Sequence, residues 1–66
     1  MNLEQKFLAD IKLFMKEFDM RPTTFGIKAV SDPHAITRWI KKHTIPRIDS
    51  VDKVYDFMDQ YRKANS

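Results

Sequence analysis

The sequence predicts an all-α fold, a compact four-helix domain spanning residues 1–66. Three observations carry that expectation. Apolar residues recur at three- and four-residue intervals along two longer stretches, about 3–19 and 50–62, and two shorter ones, about 23–30 and 33–42. The period-two alternation of a strand is nowhere sustained. Prolines and capping residues fall between the stretches, at Asp19-Met20-Arg21-Pro22, Ser31-Asp32-Pro33 and Pro46-Arg47-Ile48-Asp49-Ser50, where helices start and stop.

The first helix is justified by one stripe: Glu4, Phe7, Leu8, Ile11, Phe14, Met15 and Phe18. All but Glu4 are apolar, so this helix faces the core. Leu13 lies off the stripe and is expected to be partly exposed. Pro22 closes the segment, because the residue before a proline is pushed out of the α region.

The second helix is expected to be capped by Thr23 or Thr24 and to carry Phe25, Ile27, Ala29 and Val30. Its Gly26, the only glycine in the chain, costs about 1 kcal/mol in a helix relative to alanine. A close crossing would justify that cost, with the third helix passing over Gly26 and Ile36 and Trp39 making the apolar contacts beneath. For the third helix, Asp32 is a good N-cap and Pro33 suits the first helical position. Ile36, Trp39 and Ile40 share its inner face, and His34, Thr37, Arg38, Lys41 and Lys42 share the other. Two short helices so joined form a helix-turn-helix, whose second helix can enter the major groove of DNA.

The fourth helix is expected to start at a cap on Asp49 or Ser50, with Asp52 in the first turn, where the helix dipole favours an acid. Val51, Val54, Tyr55, Met58 and Tyr61 form its stripe, and Phe57 lies outside it. Ala64-Asn65-Ser66 is expected to fray. The predicted core is Phe7, Leu8, Ile11, Phe14, Phe25, Ala29, Ile36, Trp39, Val51, Val54 and Met58.

Charge divides the chain into three. Residues 1–20 carry Lys6, Lys12 and Lys16 against Glu4, Asp10, Glu17 and Asp19, a net of −1. Residues 48–66 carry Lys53, Arg62 and Lys63 against Asp49, Asp52, Asp56 and Asp59, again −1. Residues 21–47 carry Arg21, Lys28, Arg38, Lys41, Lys42 and Arg47 against Asp32 alone, a net of +5. Such a patch attracts polyanions and binds them with a salt-dependent affinity.

Other function classes find little support. The chain has no cysteine, hence no disulfide framework and no thiolate zinc site. His34 and His43 stand nine residues apart, not at the spacing of helical metal ligands, and no phosphate-loop or nucleophile-elbow motif occurs. Acids alternate with lysines as on an ordinary solvated face. The expectation is a protein that is not an enzyme and uses no cofactor and no metal. No apolar run approaches signal-peptide or membrane-span length, so a cytoplasmic, nucleoid-associated location is expected, with Met1 as a native start.

Between residues 20 and 60 the chain resembles the lambda-type repressor and Cro superfamily of helix-turn-helix regulators, the XRE family. Phe25-Gly26 matches its apolar-then-small pair, Ile36 the aliphatic residue ten positions after the glycine, and Trp39 the large apolar one three further on. Pro46, Ile48, Ser50, Val51 and Val54 match its register into the next helix. TFGIKAVSDP, residues 24–33, is similar to a variant found in short alphaproteobacterial and phage regulators. Two features depart from the pattern: Val30-Ser31 stands where the turn glycine is usual, and no fifth helix follows.

The resemblance implies a sequence-specific regulator of transcription on double-stranded DNA, repressor or activator, with a lambda repressor-like helix-turn-helix at about 22–43. It places base contacts at His34, Ala35, Thr37 and Arg38. Arg38 is foremost, since its fork can bond guanine O6 and N7 together. Phosphate contacts are expected at Arg21, Thr23, Thr24, Lys41, Lys42, Thr44 and Arg47, and a weak homodimer on DNA. The alternative is a small helical interaction module docking on RNA polymerase or another regulator through Leu13 and Phe57.

Overall fold

The computed structural model describes residues 2–65, and the described residues form four helices and no strand. They are α1 (Leu3–Phe18), α2 (Pro22–Val30), α3 (Ala35–Lys42) and α4 (Ile48–Ala64). Helix α1 opens on a capping box. The Asn2 side chain accepts from the Gln5 N–H at 2.8 Å, and the Gln5 side chain accepts from the Asn2 N–H at 3.3 Å. It closes at Asp19, which takes the left-handed conformation (φ 51°), with the Met20 N–H returning to the Met15 carbonyl at 2.9 Å.

Packing follows the stripes. Phe7, Leu8, Ile11 and Phe14 of α1, Phe25 of α2, Ile36 and Trp39 of α3, and Val51, Val54 and Met58 of α4 are buried together. Aromatic pairs join the helices. The Phe7 ring stands 5.8 Å from Trp39 and 5.8 Å from Tyr55, edge-on to the latter. Phe14 lies 5.0 Å from Phe25 and 5.6 Å from Tyr61. Helix α1 therefore reaches α3 and α4 near its start, and α2 and α4 near its end. Tilted and edge-on rings at these distances gain from their quadrupoles beyond the burial itself.

Several expectations are corrected. Ala29 is only half-buried, and Ala35 takes a core place instead, 1% exposed. Phe57 is packed inward, 5.9 Å from Phe14 and 5.6 Å from Phe25. Because α4 meets both α1 and α2, its buried arc is wider than one stripe. Helix α2 starts at Pro22 with Arg21 as N-cap, so Thr23 and Thr24 lie inside its first turn and cap nothing. Helix α4 starts at Ile48 with Arg47 as N-cap. Arg47 is extended and its carbonyl takes the Ser50 and Val51 N–H groups, which leaves Asp49 in the first turn and neither Asp49 nor Ser50 as the cap. At the far end α4 runs through Ala64, and the Asn65 side chain donates to the Tyr61 carbonyl at 2.8 Å. The rest of the expected fray, Ser66, lies outside the described residues, as does Met1.

Candidate functional site

The basic stretch 21–47 folds as α2, a four-residue connection (31–34), α3 and a five-residue connection (43–47). The first connection depends on Gly26. Ser31 is left-handed (φ 59°) and its N–H returns to the Ile27 carbonyl at 3.0 Å. The Asp32 N–H then reaches the Gly26 carbonyl at 3.1 Å. So tight a return lays the Asp32 carbonyl oxygen against Gly26, where a Cβ would clash with it outright. The expected close approach over Gly26 exists, but the neighbour is the backbone of the connection rather than Ile36 or Trp39. Alanine is therefore already too large here.

Asp32 shapes the entry to α3 with both carboxylate oxygens. Its Oδ1 accepts from the His34 N–H at 2.9 Å, and its Oδ2 accepts from the Arg38 guanidinium at 3.2 Å. The His34 N–H, and then the Arg38 guanidinium, hold this carboxyl below its ordinary pKa despite the cost of partial burial. Hydrogen bonding makes Ala35 the first residue of α3, with His34 before it. Asp32 thus caps a turn leading into the helix, which starts two residues after the expected Pro33.

Ala35, Ile36 and Trp39 hold the inner face of α3 in the core, and Ile40 is half-buried beside them. His34, Thr37, Arg38, Lys41 and Lys42 are exposed on the opposite face. Residues separated by three and four positions are neighbours on a helix, so these five form one continuous surface. His43 ends α3 in the left-handed conformation (φ 52°), and the Thr44 N–H returns to the Trp39 carbonyl at 3.1 Å.

Of the expected base-facing residues, His34, Thr37 and Arg38 come together on this surface. Ala35 does not: its methyl is buried, because a small residue one turn ahead of Trp39 lets the helix start sit close against the core. The expected phosphate-facing residues Arg21, Thr23, Thr24, Lys41, Lys42, Thr44 and Arg47 are all exposed. Arg21 and Thr24 line an open hollow of about 330 Å³ together with Lys28, the acid Asp19 and the apolar Phe18, Met20 and Tyr61. Sequence reasoning left Lys28 out of the site. Its signal was its place one helical turn after Thr24 in an unpaired basic stretch.

Ion pairs engage only some of the cations, and Lys12, Lys16 and Lys53 of α1 and α4 make none among the described residues. Lys6 pairs with Asp10, Arg62 with Glu17 and Lys63 with Asp59, all in α1 and α4. Within 21–47, Arg38 is the only cation in an ion pair among the described residues. Arg21, Lys28, Lys41, Lys42 and Arg47 keep their charge unmatched. Among the described residues no group of three His, Asp or Glu side chains is placed to hold a metal, and no helix is long and apolar enough to cross a membrane. Compared with known proteins, the chain matches no family model, no curated sequence and no solved structure.

Proposed function

We propose that the chain is a sequence-specific, double-stranded DNA-binding regulator of transcription, built as a helix-turn-helix with α3 as the helix that enters the major groove. The observation that supports it most is the outer face of α3. It presents Thr37, Arg38, Lys41 and Lys42 beyond His34, while Ile36 and Trp39 hold the inner face rigidly in the core. Base reading falls to Arg38, with His34 and Thr37 beside it. Positioning on phosphates falls to Lys41, Lys42, Thr44 and Arg47 on one side and to Arg21, Thr23 and Thr24 at the start of α2 on the other. There Pro22 has no N–H to offer, so the first-turn amides of Thr23 and Thr24 are the free donors. Phe57 and Tyr61 are turned into the aromatic core, so self-association falls to exposed aliphatic residues such as Leu13. In this reading the protein is a monomer or weak dimer in solution that tightens on DNA, in the cytoplasm at the nucleoid.

Binding to duplex DNA at two salt concentrations tests this. Affinity falls steeply with salt if the chain engages phosphates. An adaptor docking on polymerase or another regulator through Leu13, which is 59% exposed, binds DNA at neither concentration. Two variants separate reading from positioning. Arg38→Ala should cost about 1–3 kcal/mol on the preferred site and relax preference at one base pair. Lys42→Ala should weaken preferred and random duplexes alike and lower the salt slope by about one. Equal losses on both duplexes for Arg38→Ala would reassign it to phosphate and leave reading to His34 and Thr37.

A further inference from the structure

Asp32 is the only acid between residues 21 and 47, and it stands beside the face of α3 that the DNA reading turns toward a polyanion. An acid there repels phosphate, so its presence needs a reason. Capping alone does not supply one, since serine, threonine or asparagine would accept the His34 N–H equally well. Nor does ion-pair stability. The Asp32 and Arg38 side chains are 38% and 47% exposed, and exposed pairs contribute about 0–1 kcal/mol.

What the geometry does supply is a fixed brace. The His34 N–H anchors Oδ1 at 2.9 Å, which leaves Oδ2 aimed at the guanidinium 3.2 Å away. The backbone of Asp32 is itself pinned, its N–H on the Gly26 carbonyl and its own carbonyl against Gly26. Arginine otherwise loses considerable rotamer freedom when it is held in one pose. A single bond from one terminal nitrogen restrains where the group sits and leaves its other N–H donors for a second partner.

We propose that Asp32 is a positioning residue for recognition: it holds Arg38 in the pose that reads a guanine and discourages Arg38 from settling on phosphate. The proposal rests on the DNA reading above and adds the residue that converts a cation into a base reader. Gly26, Ser31 and Asp32 then act together, the tight return existing to place one carboxylate.

The test uses the intact chain, a randomised duplex library from which the wild type selects its preferred site, and a scrambled duplex of equal length. Asp32→Asn and Asp32→Ser each keep an oxygen for the His34 N–H and remove the brace. Both variants should bind the scrambled duplex more tightly than the wild type, with a salt slope steeper by about 0.9 as Arg38 moves to a phosphate. Their discrimination between the two duplexes should fall by up to about 5-fold, at the base pair that Arg38→Ala relaxes. In the Arg38→Ala background neither substitution should alter discrimination further. Without DNA, the terminal NH2 groups of Arg38 should exchange faster by NMR in Asp32→Asn than in the wild type. Unchanged discrimination in both variants overturns the positioning role and leaves the DNA reading standing. A parallel loss of thermal stability and of both affinities overturns it in favour of a structural one. Failure of the wild type to select any site overturns the DNA reading and, with it, this role.

Discussion

Helices α1 and α4 and the segment α2–α3 solve different problems within one small chain. The outer pair, 16 and 17 residues long, carries most of the core and nearly balances its cations with its own acids, Lys6–Asp10, Lys63–Asp59 and the cross-helix Arg62–Glu17 among them in ion pairs. The inner pair, 9 and 8 residues long, is too short to be stable alone and leaves five cations unmatched. It is held by what it buries, Phe25, Ile36 and Trp39, rather than by its surface. Concentrating apolar packing in one region frees another to hold a surface that does not help folding. That division is expected where a surface serves a partner.

Breaking the scaffold should have the largest effect. Phe14 is fully buried and touches rings from α2 and α4. Phe14→Ala should destabilise by about 3–5 kcal/mol, which a chain of 66 residues will not survive at ambient temperature; loss of a cooperative melting transition in circular dichroism checks this. Next comes the inner segment's tight return. Gly26→Ala should cost about 1–3 kcal/mol through overpacking against the Asp32 carbonyl, despite alanine's better helix propensity. A melting temperature equal to the wild type's would remove the close-approach account.

Smaller and opposite in sign are the left-handed caps. Ser31 and His43 hold positive φ without being glycine, a conformation costing about 1–2 kcal/mol per L-residue. Part of any gain from glycine is returned as chain entropy. Ser31→Gly and His43→Gly should each raise stability by up to about 1 kcal/mol, read as a higher denaturant midpoint, as should Asp19→Gly at the end of α1, which is left-handed in the same way.

The smallest effect is a pH dependence in the scaffold. Asp10 accepts from Lys6 Nζ at 2.8 Å and from the Tyr55 hydroxyl at 2.6 Å. Partial burial pushes this carboxyl up, and the two donors more than offset it, so its pKa lies below the ordinary value. A carboxylate lowered on folding contributes stability above its unfolded pKa and loses it as pH falls through the folded one. Denaturation below about pH 4 should accordingly be shallower in Asp10→Asn than in the wild type. An unchanged acid limb would place the acid sensitivity elsewhere, with Asp32 as the other lowered carboxyl.

Composition and periodicity by themselves determined four helices, the inward faces of α1, α3 and α4, and the concentration of positive charge in residues 21–47. Helical spacing sorts large apolar side chains such as Phe7, Phe14, Ile36 and Trp39 unambiguously, because exposing any of them is costly. Small or flanking residues have no such signal. Ala29 and Ala35 are equally apolar, and only the seating of the start of α3 against the core decided that Ala35 is buried. Phe57 read as an outlier until α4 was found to face two neighbours. The caps shifted for the same reason: a Thr, Asp or Ser near a helix start competes with whatever backbone path the packed helices impose. The Asp32–Arg38 bond joins residues six apart across a connection, which no helical periodicity encodes. It exists because the chain folds back over a glycine tightly enough to bring a carboxylate beneath an arginine.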